Sequence, residues 1–441
     1  MSMKRDIFCD LLEWVDRTGR KPLILRGARQ VGKSYLVNQL GKRFDNFVKV
    51  NFEETPSIGT IFEGDLNINN LLTKLQIATN SKIEQGKTLL FFDEIQNAPK
   101  ALVALRYFYE NLPGLHIIAA GSLIEFVIEK AGIPVGRVRS LYVYPMSFAE
   151  YLSATGNELL RDLLASNSSD VPVDDIFHKK LLELVKEYII IGGMPEAVKS
   201  WIEKREIREV KRIHNDLVDT YKQDFGKYAK ASQVKYVDKI FDAIPAQLGR
   251  KFVFSRVDSS LKTRELRPAL ELLEKAQVAT IVYHSSANGV PLGAEVNHSL
   301  FKVIFVDIAL TQTILGISPE DIFLRFNDFV NQGELIEAFV GQELLAYSYR
   351  YSRASLYYWN REKTSSNAEV DYVIAKNRTV YPVEVKSGAS MRLKSLIQFL
   401  KEKEKSHVGI HFSTKNFGRK SNVRRFPIYG VFAFMANPSE C

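Results

Sequence analysis

PLILRGARQVGKSYLVNQL, residues 22–40, reads as a strand, a loop and a helix in succession. The apolar run PLIL supplies the strand. Gly27, Ala28, Arg29, Gln30, Val31, Gly32, Lys33 and Ser34 then fit the spacing GxxxxGK[ST], with Tyr35 carrying the chain into the helix. Glycines at those two places free the backbone to wrap its N–H groups around phosphate oxygens at a helix amino terminus. Lys33 is expected to reach the terminal phosphates of a bound nucleotide, and the Ser34 hydroxyl to hold magnesium. A chance match is the alternative, and the flanking strand and helix weigh against it.

A second stretch, KTLLFFDEIQNAP (87–99), places four consecutive apolar residues before Asp93 and Glu94, as a strand buried on both faces requires. Acids in that position stand at the rim of a sheet. There Asp93 is expected to hold magnesium through water and Glu94 to orient and activate an attacking water. Two acids that merely cap the next helix are the plainer reading of either alone. NFVKVNF (46–52) and LHIIAAGS (115–122) alternate with helical stretches, so this part of the chain is expected to be a parallel α/β sheet. Ser122 ends its strand as a sensor of the γ-phosphate or simply as a helix cap. Arg137 is either an arginine finger for a neighbouring subunit or an exposed salt-bridging side chain.

FVKVNF lies between the two nucleotide motifs, which resembles the additional-strand P-loop ATPases, including the AAA class. RKPLILRGARQVGKSYL, FFDEIQ, AAGSLIEF, GRVRSLYVYPMSFAEYL (136–152) and YIIIGGMPEAV (188–198) together resemble the bacterial and archaeal AAA-type ATPases with a carboxy-terminal domain of unassigned function, DUF4143-like. The YPMSFAEYL and GGMPEAV blocks are the parts most particular to that group. The resemblance implies ATP binding and hydrolysis, a winged-helix segment and a nuclease-like last domain, and relatives often form rings. The expected segments are an AAA-like domain over 1–158, a helical lid and winged helix over 159–300, and a PD-(D/E)XK-like α/β domain over 301–441.

Within the middle segment, leucines and charges alternate at helical spacing until Gly192 and Gly193 stop the helix. From Val234 the order helix, turn, helix, strand and NGVP suits a winged helix. Arg250, Lys251, Lys262, Arg264 and Arg267 gather around its second helix, either to contact DNA phosphates or to pack against the rest of the chain.

AEVDYVIAKNRTVYPVEVKSG (368–388) predicts two strands joined by a turn at Asn377 and Arg378, a register that sets Asp371 opposite Glu384 and puts Lys386 on the same face. Pro382, unable to donate a ladder hydrogen bond, is expected to mark a bulge or an edge. Two carboxylates across a hairpin repel unless a cation lies between them, and oxygen ligands suit magnesium or manganese. An aspartate followed thirteen residues later by ExK resembles the PD-(D/E)XK nucleases, whose site adds a glutamate from an upstream helix. GELIEAFVGQELLAYSY (333–349) is the candidate helix. Glu337 fits the GxxxE opening of that group, and Glu343, six positions on and about 240° around the helix, cannot face the same metal, so the resemblance implies Glu337. In that reading Asp371 and Glu384 bind the metal, Lys386 stabilises charge on the phosphate, and Glu337 completes the set. Exposed ion pairs or a decayed site on a retained fold are the alternatives. The basic stretch GRKSNVRRF (418–426) either steers DNA or is a solvated turn. His407 and His411 are expected to serve structure rather than metal.

The chain of 441 residues exceeds one ordinary core, and 46 % hydrophobic with 25 % charged residues fits a folded soluble class. Cys9 and Cys441 have no zinc spacing and imply no disulfide framework. No apolar stretch approaches membrane-helix length, so a cytosolic protein without a membrane partner is expected. A net charge of +9 is compatible with a nucleic-acid partner. Three readings follow: an ATPase coupled to DNA handling through its own nuclease-like domain; an ATP-switched module whose last domain binds nucleic acid or a partner without cutting; and a structural protein with a dormant nucleotide site. ATP and magnesium are the expected cofactors, manganese is a further candidate at the last domain, and a homo-oligomer is a candidate assembly.

Overall fold

Burial of the strand TLLFFD at every position is the starting point, because it demands sheet neighbours on both edges and helices on both faces. The structure, a computed structural model, describes residues 3–131, 136–167, 170–317, 332–361, 368–387 and 393–435. These fall into two compact units: Ser2–Tyr144 with Tyr349–Arg353, and Pro145–Ser348 with Ala354–Glu440.

The first unit holds a five-stranded, wholly parallel sheet of β1 (Leu23–Arg26), β2 (Asn46–Asn51), β3 (Thr88–Asp93), β4 (His116–Ala120) and β5 (Arg139–Tyr142), in the order β2-β3-β4-β1-β5. It is the α/β sheet of a P-loop NTPase. The strand that separates β1 from β3 in the sheet is β4, while FVKVNF, which lies between the two motifs in sequence, forms the edge strand β2. Ile24, Val48, Val50, Leu90, Phe92 and Ile117 share one core with Leu102, Leu105 and Phe108 of the helix Pro99–Asn111. Each fully buried side chain of this size contributes roughly 1.5–3 kcal/mol by leaving water.

The second unit is built on an eight-stranded mixed sheet, ordered β12-β13-β11-β10-β9-β8-β6-β7. Its strands are β6 (Ala279–Ser285), β7 (Val296–Phe305), β8 (Tyr357–Asn360), β9 (Glu369–Lys376), β10 (Thr379–Lys386), β11 (Gly409–Ser413), β12 (Gly418–Lys420) and β13 (Val423–Pro427). The expected helix, helix and strand correspond to Ala231–Ala243, Thr263–Lys275 and β6, and β6 forms a hairpin with β7. That hairpin does not stand apart, because β6 pairs in parallel with β8. The expected boundary at residue 300 therefore falls inside β7, within a single sheet.

The hairpin β9–β10 has the register that the turn dictates. Asn377 and Arg378 both take positive φ (50° and 63°), and Thr379 pairs with Lys376 through to Val383 with Tyr372. Pro382 marks neither a bulge nor an edge. It pairs opposite Val373 without interruption, and the pairing of β10 with β11 begins only at Val383, so no ladder needs its missing N–H.

The two most particular sequence blocks meet in this second unit. Met146 donates its N–H to the Gly193 carbonyl at 2.7 Å, Tyr188 Oη donates to the Met146 carbonyl at 2.5 Å, and Gly193 donates to Asp307 Oδ2 at 2.7 Å. Gly192 caps the helix Asp175–Ile191, as its sequence suggests. Ser147 caps the helix Phe148–Ala154 in a capping box with Glu150, and both oxygens of Glu343 accept the Phe148 N–H. These bonds tie residues 145–154 to the second unit, so the expected break at 158 comes later than the contacts place it.

Gly193 has no room for a methyl group: a Cβ there would lie 2.2 Å from the Met146 carbonyl oxygen, whereas one at Gly226, exposed on the helix Ile207–Tyr228, would meet nothing within 4 Å. Thermal melts should show Gly193→Ala destabilised by about 2–3 kcal/mol and Gly226→Ala unchanged or stabilised by up to about 1 kcal/mol.

Candidate nucleotide site and carboxy-terminal acid cluster

The loop from Gly27 to Gly32 turns through three positive-φ positions, Gly27 at 156°, Gln30 at 64° and Gly32 at 95°, before the helix Lys33–Gly41 begins. Gly27 is required for a further reason, since a Cβ there would lie 2.3 Å from the Val143 carbonyl oxygen. Ala28 and Val31 are buried, Arg29 is half-buried and Gln30 is exposed. Tyr35 turns elsewhere, its hydroxyl accepting the Met3 N–H at 3.0 Å.

Lys33 folds its ammonium back into this loop, donating to the carbonyls of Gly27 at 2.9 Å and Ala28 at 2.7 Å. Burial lowers its pKa to about 8, against the attraction of Glu94 and Asp93. Ser34 donates its hydroxyl to Asp93 Oδ1 at 3.0 Å. Lys49, which points outward from β2, forms an ion pair with Asp93 Oδ2 at 3.1 Å. Hydroxyl and carboxylate thus already face one another where a magnesium ion requires both, and the donor set fits that ion.

Glu94 follows at φ 50°, a conformation that swings it away from the line of β3. Its carboxylate accepts a hydrogen bond from the Gln96 side-chain amide. The Gln96 side-chain oxygen Oε1 packs against Gly121, 2.0 Å from where a Cβ would stand, beside Ser122. Ser122 Oγ is buried with no hydrogen-bond partner among the described residues, as a polar group awaiting a ligand would be. Arg137 donates to Glu110 at 2.9 Å, sharing that carboxylate with Arg106 at 3.1 Å on a half-exposed surface, the salt-bridged alternative of its sequence reading.

In the second unit, Glu337 lies on the buried side of the helix Gly333–Ala346 and points to the acids of β9 and β10, while Glu343 serves the helix cap described above. The ladder runs only as far as Val383 opposite Tyr372, and beyond it the Asp371 carboxylate takes the Val385 N–H at 2.7 Å. Glu384 pairs with Lys386 at 2.6 Å, leaving Oε2 buried and without a partner among the described residues.

Sequence reasoning missed Lys302, on β7, whose one signal is a lone lysine among the apolar residues FKVIF. Its side chain, 3 % exposed, sends the ammonium to 2.9 Å from Glu337, 2.7 Å from Glu369 and 3.9 Å from Asp371. Burial opposes its charge, but Glu337, Asp371 and Glu369 together raise its pKa well above that of an ordinary lysine. Burial also raises Glu337, Asp371 and Glu384. Among the described residues, no group of three or more His, Cys, Asp or Glu side chains is arranged to hold a metal ion. The Asp371–Glu384 pair expected to bind magnesium or manganese does not fit that role, because an internal ammonium sits among the acids.

The basic side chains assigned to DNA contact are partly engaged within the chain: Arg250 with Glu334, Lys251 with Glu369 at 4.0 Å, and Arg267 with Glu271 at 3.2 Å. Arg419 and Arg424 both approach Asp170, at 3.9 and 3.4 Å. His411 is buried on β11 and His407 is exposed outside it. Cys9 forms no disulfide, and Cys441 lies outside the described residues. No helix among the described residues is long and apolar enough to cross a membrane.

Three family models match the chain: an AAA domain over 19–152, a domain of unknown function (DUF8612) over 182–321, and a domain of unknown function (DUF4143) over 332–430. The second match, like β7, runs across residue 300. No curated protein matches. Among solved structures, the chain is similar to the Walker-type ATPase PABY2304 of Pyrococcus abyssi, with 17 % identity, 71 % of this chain and 96 % of that one covered, and a TM-score of 0.45. PCH-2 of C. elegans matches at 10 % identity over 46 % of this chain and 61 % of that one, with a TM-score of 0.24. The S. cerevisiae Hsp104–ADP complex matches at 12 % over 78 % and 44 %, with a TM-score of 0.28.

Because Lys33 is neutral above about pH 8 in the free protein and a phosphate chain favours its charged form, nucleotide binding takes up a proton there. ATP affinity measured by calorimetry should be level from pH 6 to 7.5 and fall by up to about tenfold per unit above pH 8. A level profile to pH 9.5 would contradict this placement of the ammonium.

Proposed function

From an AAA-type P-loop ATPase domain and a DUF4143 domain carried on one chain, we propose an ATP-hydrolysing switch whose last domain engages nucleic acid or a protein partner without cutting it. The observation that carries the nucleotide half is the 3.0 Å contact between Ser34 and Asp93 at the mouth of a loop whose lysine is already turned inward. Magnesium, when bound there, neutralises charge on the β- and γ-phosphates. Loop N–H groups cradle the phosphates, and Lys33 exchanges its two carbonyl partners for phosphate oxygens. Glu94 accepts a proton from, or orients, the attacking water, and Ser122 offers its unpartnered hydroxyl to the γ-phosphate. In a homo-oligomer, Arg137 would leave Glu110 to reach a neighbour's nucleotide.

Coupling to DNA cleavage is the competing reading, favoured by the approach of Glu337, Asp371, Glu384 and Lys386 to one another. Lys302 weighs against it by supplying the charge that a catalytic metal would bring.

Glu94→Gln should keep ATP affinity within about twofold and lower hydrolysis about 100-fold or more. In the same preparation, labelled single- and double-stranded DNA incubated with magnesium or manganese should remain intact. Cutting that Asp371→Ala and Lys386→Ala abolish would replace the switch with a nuclease, and unimpaired turnover of Glu94→Gln would remove Glu94 from the water-activating role.

A further inference from the structure

Four carboxyl groups, those of Glu337, Glu369, Asp371 and Glu384, approach one another in the second unit, and a buried cluster of this kind is held together by cations among the acids and by protons that burial keeps on some of them. Lys386 answers Glu384 from the same strand. The other three acids are answered from a distance. Lys302 rises from the edge strand β7, passes within 5.3 Å of the centre of the Tyr358 ring, and places one ammonium against acids drawn from a helix and from β9. The side chain is almost wholly enclosed, so its position is fixed by packing as well as by charge.

We propose that Lys302 is the built-in cation of this cluster: its ammonium takes the place among Glu337, Glu369 and Asp371 that a divalent ion would otherwise occupy, and so keeps the domain metal-free. The inference rests on the non-cutting reading of the last domain and supplies its cause. A divalent ion bound by oxygens needs those same carboxylates at much shorter range than an ammonium does. Two cations a few ångströms apart in a buried site repel strongly, so the ion and Lys302 exclude each other. Glu384 Oε2, buried and unpartnered, is an acceptor that Lys302 leaves unused, and it would become a ligand oxygen once the ammonium is gone. The lysine also explains why the acids hold together: it bridges the helix Gly333–Ala346 to β9 as an ion would.

The test is manganese binding, followed by electron paramagnetic resonance and calorimetry on the full chain without nucleotide. An Asp93→Asn background silences the P-loop site. Wild-type Lys302 should show no Asp371-dependent manganese binding in the low millimolar range, whereas Lys302→Met should bind one ion at least about tenfold more tightly, with the gain lost in Lys302→Met/Asp371→Asn. If Lys302→Met melts early because its acids repel, manganese should restore its melting temperature while leaving that of wild type unmoved. Lys302→Met/Glu369→Gln, with one acid fewer to repel and one ligand fewer for the ion, should melt later than Lys302→Met and keep a smaller, still Asp371-dependent gain. Tight, Asp371-dependent binding by the wild-type chain would overturn the proposal, and so would Lys302 variants that gain neither affinity nor stability from manganese. Either failure can occur with DNA left intact, and DNA cleavage alone would refute the non-cutting reading, so the two are separable.

Discussion

One contact, Ser34 against Asp93, joins the two halves of the nucleotide site across 59 residues of sequence. It exists because β4 is inserted between β1 and β3, which spaces the phosphate loop and the acidic strand so that the start of the helix Lys33–Gly41 arrives opposite the rim carboxylate. The loop geometry, the position of Lys33 and the reach of Glu94 all presuppose that spacing. Burial of TLLFFD maintains it, since a strand with no solvent-facing side cannot shift without exposing aromatic surface.

The chain builds two acid-rich sites with opposite electrostatics. At the sheet rim of the first unit, the buried Asp93 is approached by a hydroxyl and by Lys49, whose partly exposed ammonium can move into solvent when an ion arrives. In the second unit, the acids surround an enclosed lysine, and removing that charge would leave several carboxylates uncompensated in a poorly hydrated site. Residue types alone do not separate these cases. Burial and the origin of the compensating charge do.

What could be read from the sequence was what local spacing controls. The phosphate loop, the acidic strand and the stop at Gly192 each depend on residues within a few positions of one another. The β9–β10 register was legible because Asn377 and Arg378 can both adopt the positive φ of a two-residue turn, and the turn then numbers the ladder. Helical periodicity excluded Glu337 and Glu343 from one site together, and the GxxxE opening of the resembled group selected Glu337. Lys302, Lys49 and Asp307 were not legible, because each acts on a partner from another part of the chain and none has a motif of its own. A lone lysine amid the buried strand residues FKVIF (301–305) was the one available signal for Lys302, since such a charge requires acids nearby. The joining of β6 to β8, which erases the boundary at 300, is likewise a long-range pairing.

The direct test of the central contact is a double-mutant cycle on magnesium-dependent ATP affinity, with Ser34→Ala, Asp93→Asn and the double variant measured by calorimetry with and without the metal. If hydroxyl and carboxylate grip one ion, the magnesium-dependent gain is lost in either single variant and the double variant loses little more. Losses that simply add, or a metal-dependent gain that survives in both single variants, would contradict a shared ion and with it the account of the nucleotide site.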